Sequence, residues 1–257
     1  MDDLGTSNLR LERDGPIAWC TIDRPAAMNA LTPAMYFGIK RAVRLVNSDA
    51  DLGALIITGT GEVFAPGGDL GGRSEPGDSL PTGLIEEVLP FLAVRDSRAP
   101  VISAVNGLCQ GGGLLIAMMS DIAVASDRAM FRVPELLRGI PDAFYAATLP
   151  AHVGVAVARD LMLSARVFDA AEAQRLGLIT RVVPHDELRA AAIEAAQQVM
   201  RTAPDARVHV KRMLNERYGV IDTQTMFWAL GHSQEMSEGM RAFMEKRPPS
   251  WVPQEID

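Results

Sequence analysis

Short apolar runs that close on glycine, proline or aspartate recur through the first half of the chain. The first run alternates apolar and polar residues before a turn, and the others are continuous, as in strands buried on both faces. The runs are residues 16–25 (PIAWCTIDRP), 52–61 (LGALIITGTG), 100–107 (PVISAVNG), 121–126 (DIAVAS) and 129–135 (AMFRVPE). We therefore predict a short strand in each of them.

Apolar residues at helical spacing separate the first two of these strands. Residues 31–47 (LTPAMYFGIKRAVRLVN) place Thr32 at the N-cap and Pro33 at the first helical position, which is the usual start of a helix. Residues 64–83 (FAPGGDLGGRSEPGDSLPTG) are rich in glycine, proline, serine and aspartate. That composition predicts a long, mobile loop.

From Asp142 onward the pattern is mostly helical. Helices are predicted over residues 169–178 (DAAEAQRLGL), 184–203 (PHDELRAAAIEAAQQVMRTA) and 226–247 (MFWALGHSQEMSEGMRAFMEKR), with a brief strand at 179–183. The last segment is taken as one long helix that ends at a pair of prolines. Strands alternating with helices, followed by a helical tail, indicate an α/β fold with a helical C-terminal subdomain.

Composition narrows the class of protein. The 257 residues are 48% hydrophobic and 22% charged, and the net charge of −7 without a basic run argues against a general nucleic-acid binder. The two cysteines, Cys20 and Cys109, form no CxxC motif, so neither a disulfide framework nor a zinc site is expected. The polar N-terminus and the lack of a long apolar run lead us to expect a soluble cytoplasmic protein.

Three consecutive glycines, Gly111 to Gly113, stand where a strand pattern gives way to a helical one. Glycine inside regular structure is destabilising by roughly 0.5–1 kcal/mol relative to alanine, so the run needs a reason. The phosphate-loop patterns GxxxxGK[ST] and GxGxxG are not matched. Two alternatives stay open: close helix–strand packing, or a helix start whose N–H groups stabilise an oxygen that gains negative charge.

A second glycine cluster, Gly67-Gly68, also follows a buried strand. Six segments in the right order resemble the crotonase, or enoyl-CoA hydratase/isomerase, superfamily, and the resemblance covers about residues 9–247. The segments are RPAAMNAL (24–31), GTGEVFAPGGDL (59–70), PVISAVNGLCQGGGLLIAMMSDIAVAS (100–126), FRVPELLRGIP (131–141), AQRLGLITRVVP (173–184) and AFMEKR (242–247). No single segment is decisive, but their order is highly specific.

The resemblance implies an α/β fold, with a spiral of ββα units over residues 1–200 and a helical C-terminal subdomain over 201–257. It implies a homotrimer or a dimer of trimers, and apolar residues in the last helices favour the same association. These residues are Met226, Phe227, Trp228, Leu230, Met236, Met240 and Phe243. The implied substrate is an acyl-CoA thioester, with no cofactor besides the CoA of the substrate, no metal, and no nucleic-acid or membrane partner.

By motif position, the resemblance makes the backbone N–H groups of Gly68 and Gly112 an oxyanion hole for the thioester oxygen. It also implies a set of CoA-binding and substrate-binding positions. These are Ala26, Ala27, Met28, Ala65, Gly67, Asp69, Leu70, Leu115, Phe243 and Lys246. Many relatives have a lysine where this chain has Ala26. For Phe243, a place in the core is favoured over a contact with the CoA of a neighbouring subunit.

Hydratases of the family use two glutamates, and this chain keeps one of them. Glu135 is present, whereas Leu115 occupies the position of the other glutamate. Asp142 lies where isomerases of the family place a carboxylate, in a segment one residue shorter than in many relatives, and a helix N-cap is its alternative role. A single carboxylate suffices to move a double bond, so the sequence favours isomerisation with Asp142 carrying the proton and Glu135 assisting.

Two other functions stay open at this stage. The first is a hydratase that uses Glu135 with a rearranged water site. The second is a non-catalytic acyl-CoA-binding protein that kept the oxyanion hole and lost its acid–base pair. Leu115 supports the second alternative, whereas the presence of both Glu135 and Asp142 opposes it.

Overall fold

The computed structural model of the protein describes residues 3–70 and 89–252. The predicted loop at 64–83 lies outside these residues from position 71 onward. Its first residues continue a strand, because Val63–Ala65 pairs with Leu108–Gln110. The loop prediction is therefore wrong for Phe64 and Ala65.

The described residues contain ten strands and ten α-helices. The strands are β1 (Leu9–Asp14), β2 (Ile17–Ile22), β3 (Ala54–Gly59), β4 (Val63–Ala65), β5 (Val101–Val105), β6 (Leu108–Gln110), β7 (Ile122–Ser126), β8 (Met130–Arg132), β9 (Phe168–Asp169) and β10 (Arg181–Val183). The helices are α1 (Pro33–Ser48), α2 (Phe91–Arg95), α3 (Gly112–Met119), α4 (Ala143–Val153), α5 (Val155–Ser164), α6 (Ala170–Arg175), α7 (Leu188–Met200), α8 (Pro204–Asn215), α9 (Thr223–His232) and α10 (Gln234–Glu245). The five strands predicted in the first half are all present.

The chain divides into two compact units. The first comprises Met1–Phe131 and Phe168–Arg217, and the second comprises Arg132–Val167 and Tyr218–Asp257. The two units are defined by the contacts that residues make within each of them. The predicted division of the chain at residue 200 stays a prediction.

The first unit holds a six-stranded sheet in the order β1-β2-β3-β5-β7-β10. Only the β1–β2 pair is antiparallel, and the other neighbours run parallel. One face of this sheet is covered by α7, whose alanines allow close approach to the strands. The residues of this core include Ile17, Trp19, Ile56, Ile102, Val124, Leu188, Ala192, Ala195 and Ala196.

A second, four-stranded sheet in the order β4-β6-β8-β9 positions the glycine clusters. Strands β4 and β6 are parallel neighbours, with Val63 opposite Leu108 and Ala65 opposite Cys109. The carboxyl ends of parallel neighbours meet at the same edge of a sheet. The glycines that follow β4 and those that follow β6 therefore emerge side by side.

Helix α1 begins as the sequence predicts. The Thr32 side chain accepts a hydrogen bond from the Met35 N–H, and Pro33 occupies the first turn. A cap of this kind stabilises a helix by about 1 kcal/mol. Its buried residues include Tyr36, so the first turn of α1 is fixed against the core.

The second unit contains α4, α5, α9, α10 and a 3₁₀ turn at Glu135–Arg138. The prediction of one helix over 226–247 is wrong, because the chain breaks between His232 and Gln234. Ser233 is extended at this point, and its hydroxyl accepts from the Glu235 N–H. The serine therefore starts a new helix without interrupting the apolar spacing.

Two further properties concern the described ranges as a whole. None of their helices combines the length and the apolar character needed to cross a bilayer. No group of three or more histidine, cysteine, aspartate or glutamate side chains in residues 3–70 and 89–252 could hold a metal ion. Cys20 and Cys109 are free thiols, and burial raises the pKa of both, so neither is a reactive thiolate at neutral pH.

Candidate active site

Two glycines have backbone angles that other residues rarely adopt. Gly67 has φ 108° and Gly111 has φ 54°. A side chain at either position would strain the backbone, because positive φ brings Cβ against the neighbouring carbonyl. The two turns that follow β4 and β6 therefore both depend on glycine.

The two glycine turns lie against each other. A Cβ atom built on Gly67 would sit 3.5 Å from the Gln110 carbonyl oxygen and 3.7 Å from the Gly112 nitrogen. A Cβ on Gly113 would overlap the carbonyl of Ala65 at the end of β4. Close helix–strand packing thus explains Gly113, and the turn geometry explains Gly111.

The backbone N–H groups of Gly68 and Gly112 point to a second purpose for the same glycines. Gly112 is the first residue of α3, where N–H groups have no partner within the helix and carry partial positive charge. Across residues 3–70 and 89–252, neither N–H donates a hydrogen bond. Gly112 is buried, and a buried N–H without a partner is costly, whereas Gly68 is exposed. The N–H of Gly112 is therefore suited to an oxygen acceptor from a ligand.

The loop around Gly68 is held in place from two sides. The Leu31 N–H donates to the Gly67 carbonyl at 2.9 Å, and the Asp69 N–H donates to the Leu31 carbonyl at 2.8 Å. The Arg24 guanidinium makes an ion pair of 2.8 Å with the Asp69 carboxylate, and both side chains are largely buried. Arg24 was not among the predicted site residues, although it begins the RPAAMNAL motif.

The same motif forms a rigid turn ahead of α1. Pro25–Ala27 is a 3₁₀ turn, and Met28 and Asn29 follow with φ 51° and 61°. The Asn29 side chain fixes this turn by donating to the carbonyls of Thr60 and Val63 at 3.1 and 2.6 Å. The predicted CoA-binding stretch therefore has a defined backbone, with Ala26 and Met28 exposed.

Tyr36 also lies at the glycine turns, and the sequence did not single it out. A Cβ on Gly68 would be 3.5 Å from the Tyr36 hydroxyl oxygen, and a Cβ on Gly112 would overlap that oxygen. The signal available in the sequence was a polar-tipped aromatic residue on the apolar face of α1, one turn after the cap.

The remaining predicted positions in the first unit are apolar or partly covered. Leu115 is 1% exposed and lies within α3, so it brings no carboxylate to the glycine turns. Ala65 is buried, and Leu70 is half-buried at the end of the first described range. These residues can contact a ligand only through apolar atoms and the backbone.

Both predicted carboxylates belong to the second unit. Glu135 opens the 3₁₀ turn after Pro134. The residue as a whole is half-buried, but its Oε2 atom is fully covered and has no hydrogen-bond partner in the part of the chain that the structure describes. Such an atom is rare in native proteins, and an ordered water or a ligand is the kind of partner that it would accept.

Burial and, second, the negative charge of Asp142 raise the pKa of the Glu135 carboxyl from 4.5 to about 8. A hydrogen bond from the backbone of Glu135 itself and the positive charge of Arg138 oppose only part of this rise in the pKa. Glu135 is therefore largely protonated at neutral pH, and a small rise in pH ionises it. Carboxyls with a pKa near the working pH serve as acids and bases in catalysis.

Asp142 is the N-cap of α4. Its Oδ1 atom accepts from the Tyr145 N–H at 2.9 Å, as the capping alternative predicts. Burial raises the pKa of Asp142, while hydrogen bonds from the N–H groups of Tyr145 and Phe144 lower it in part. The capping role is thus confirmed, and an acid–base role stays a prediction.

The expectation that Phe243 belongs to the core is wrong. Its side chain is 53% exposed on α10, and the Arg138 guanidinium lies 4.6 Å over its ring. That guanidinium also donates to the Pro134 carbonyl at 3.1 Å, and burial lowers the pKa of Arg138. Lys246 ends the same helix in a left-handed conformation and is exposed. Both predicted CoA contacts of α10 are accessible.

Comparisons with known proteins identify the family of the chain. The sequence profile of the enoyl-CoA hydratase/isomerase family matches residues 12–254. A probable enoyl-CoA hydratase of Mycobacterium bovis is 34% identical over 251 residues, which cover 94% of this chain and 96% of the relative.

Solved structures give the same result. An enoyl-CoA hydratase/isomerase from Pseudoalteromonas atlantica matches with a TM-score of 0.82 at 30% identity, over 96% of this chain and 100% of that one. A monofunctional enoyl-CoA isomerase from M. smegmatis matches with a TM-score of 0.70 at 30% identity, over 82% and 93% of the two chains. The predicted crotonase-like α/β fold is confirmed, and the chain belongs to the enoyl-CoA hydratase/isomerase family, whose enzymes act on acyl-CoA thioesters.

Proposed function

We propose that this enzyme moves the double bond of an enoyl-CoA thioester and that Glu135 carries the proton. The observation behind this proposal is the covered Oε2 atom of Glu135, which has no partner in the described residues, together with a carboxyl pKa raised to about 8. A group that gains and loses its proton near neutral pH can take a proton from one carbon and return it to another.

The proposed reaction needs one carboxylate and one oxyanion hole. Ionised Glu135 removes a proton from the α carbon of a 3-enoyl thioester, and the electron pair of that bond delocalises onto the thioester oxygen. The N–H groups of Gly68 and Gly112 stabilise this enolate oxygen. Protonated Glu135 then returns the proton to the γ carbon, which leaves the double bond in conjugation with the thioester.

The choice of Glu135 reverses the order of the two carboxylates that the sequence favoured. The Asp142 carboxylate is engaged by backbone N–H groups at the start of α4. Burial raises the pKa of Asp142, but hydrogen bonds from backbone N–H groups oppose part of this rise, whereas the covered Oε2 atom of Glu135 has no partner in the described residues. Asp142 is therefore proposed as a cap whose charge tunes Glu135.

Hydration is the second candidate function. It is favoured by the name of the Mycobacterium bovis relative, a probable enoyl-CoA hydratase, and by the protonated state of Glu135, which could deliver a proton to the substrate. The buried Leu115 weighs against it, because water must then be activated without a carboxylate at that position.

Turnover of 2-enoyl-CoA and 3-enoyl-CoA substrates, measured side by side, tests the proposal. We expect the wild-type enzyme to interconvert the two substrates faster than it hydrates either. Glu135→Gln keeps the size of the side chain and should reduce isomerisation by at least ~10²-fold, the scale of a general acid–base contribution.

Asp142→Asn is the matched variant. Asparagine caps a helix nearly as well as aspartate, so this variant should fold normally and retain activity within about tenfold. Loss of activity in Asp142→Asn with normal activity in Glu135→Gln would restore Asp142 as the proton carrier. Formation of 3-hydroxyacyl-CoA as the main product would establish the hydratase instead.

For CoA and for assembly we propose the roles that the family implies. The backbone of Ala26, Ala27 and Met28 holds the adenine end, and the region of Ala65, Gly67, Asp69 and Leu70 lines the path of the pantetheine arm. The exposed Phe243 and Lys246 contact the CoA of a neighbouring subunit. Sedimentation at micromolar concentration should show a trimer or hexamer, and a monomer would overturn the cross-subunit contact.

A further inference from the structure

Tyr36 is held at the glycine turns by the chain on either side of it. Two residues of the segment before α1 fix its start: Thr32 caps the helix, and Leu31 exchanges two backbone hydrogen bonds with the loop around Gly68. Tyr36 follows one turn later, and its own N–H donates to the Thr32 carbonyl at 3.0 Å. Its position relative to Gly68 is therefore set by short backbone connections.

The ring of Tyr36 is immobilised as well. It is 9% exposed and packs edge-to-face on Phe91, with ring centroids 5.9 Å apart and an interplanar angle of 77°. An aromatic pair of this geometry contributes about 0.5–1.5 kcal/mol beyond the burial of its area. The hydroxyl at the far end of the ring thus has a defined location.

That location is beside both proposed oxyanion-hole residues. The hydroxyl oxygen is 3.5 Å from the position of a Cβ on Gly68 and overlaps the position of a Cβ on Gly112. The lack of side chains at these two positions is what makes room for the hydroxyl. A packing role alone would not require a polar atom between two glycines whose N–H groups donate to no described residue.

We propose that the Tyr36 hydroxyl is a third hydrogen-bond donor to the thioester oxygen, beside the N–H groups of Gly68 and Gly112. This inference rests on the proposed function, because it assigns a role in stabilising the same enolate. A phenol hydroxyl has one donor and two acceptor sites and can rotate to suit a ligand. Its bond to an oxygen strengthens as that oxygen becomes negative, so it contributes most in the transition state.

Tyr36→Phe tests the assignment, because it removes only the hydroxyl and keeps the ring on Phe91. We expect kcat to fall by about 10²-fold, the lower end of the loss of one oxyanion-hole donor, with KM changed by less than about threefold. Tyr218→Phe removes a hydroxyl that contacts His152 in the second unit, and it should leave kcat unchanged.

Infrared spectra of bound butyryl-CoA, which cannot isomerise, separate this proposal from the proposed function. The stretching frequency of its labelled thioester carbonyl should fall on binding to the wild-type protein and fall less in Tyr36→Phe. An equal decrease in the two proteins, or an unchanged kcat in Tyr36→Phe, overturns the role of Tyr36 alone. No decrease in the wild-type protein overturns the oxyanion hole and the role of Tyr36 together.

Discussion

The glycine turns of the first unit and the carboxylates of the second unit present polar groups in opposite ways. In the first unit the backbone supplies the donors, and parallel strands β4 and β6 with positive φ at Gly67 and Gly111 fix their positions. In the second unit side chains supply the chemistry, and burial sets the charge of Glu135.

Because of this difference, the two regions should respond to different changes. A backbone N–H does not titrate, so the glycine turns should be insensitive to pH and sensitive to any change in the main chain. The carboxylates should show the reverse, because a change in pH alters their charge without altering the fold. Substitutions chosen for one region should therefore leave the characteristic response of the other region intact.

The largest effect is expected from Gly112→Pro. Proline is well accepted at the first position of a helix, but it has no N–H to donate. We expect kcat to be about 10²–10³-fold lower than in Gly112→Ala, which has the same Cβ but keeps the N–H, the usual result of removing one oxyanion-hole donor. The pH dependence of the residual activity should be that of the wild-type enzyme.

Gly112→Ala is the control for this variant. A Cβ at this position crowds the Tyr36 hydroxyl in both variants, but alanine keeps the N–H. The ratio of the two kcat values therefore measures the N–H itself, after circular dichroism has shown that both proteins fold. Equal activities would mean that the Gly112 N–H does not contact the substrate.

The sequence located most of the fold because its signals are local. The apolar runs at β2, β3 and β5, and the Thr32-Pro33 start of α1, each depend on a few consecutive residues. The break at Ser233 could not be predicted in the same way, because the apolar spacing of helix continues across it. A single hydroxyl that accepts from the Glu235 N–H decides that boundary.

The candidate site likewise has features that local sequence predicts and features that it does not predict. The order of motifs was enough to identify the glycine turns, since glycine spacing reports directly on the backbone. The covered oxygen of Glu135, the exposure of Phe243 and the placement of Tyr36 are results of tertiary packing. No pattern of neighbouring residues contains that information, so the sequence misjudged Phe243 and overlooked Tyr36.

An intermediate effect is expected on stability when Glu135 is replaced by glutamine. The pKa of this carboxyl is higher in the folded protein, about 8, than its ordinary value of 4.5. Below pH 4.5 this carboxyl is protonated in both the folded and the unfolded protein and does not lower the free energy of unfolding. As the pH rises from 4.5 towards 8, it ionises more readily in the unfolded protein, and the free energy of unfolding falls. Glu135→Gln, which cannot ionise, escapes this loss.

The melting temperature Tm of Glu135→Gln should exceed that of the wild-type protein by several degrees at pH 8.5, since each kcal/mol is worth about 2–4 °C in a chain of this size. The difference should vanish near pH 5. Glu12→Gln makes the same substitution at an exposed position of β1 and is the matched control. A difference in Tm that is constant between pH 5 and 8.5 would mean that the pKa of Glu135 is not raised in the folded protein.

The smallest effect concerns the influence of Asp142 on Glu135. Burial is the main cause of the raised Glu135 pKa, and the charge of Asp142 is the second cause. Asp142→Asn removes this charge and keeps a capping side chain, so the pKa of Glu135 should fall by the lesser part of its elevation. If ionised Glu135 is the base, the rise of kcat/KM with pH should move to lower pH in this variant. Asp142→Ala should shift the profile equally and, in addition, lose about 1 kcal/mol of stability with the cap. A profile that stays in place in both variants would show that the two carboxylates do not interact in the free enzyme.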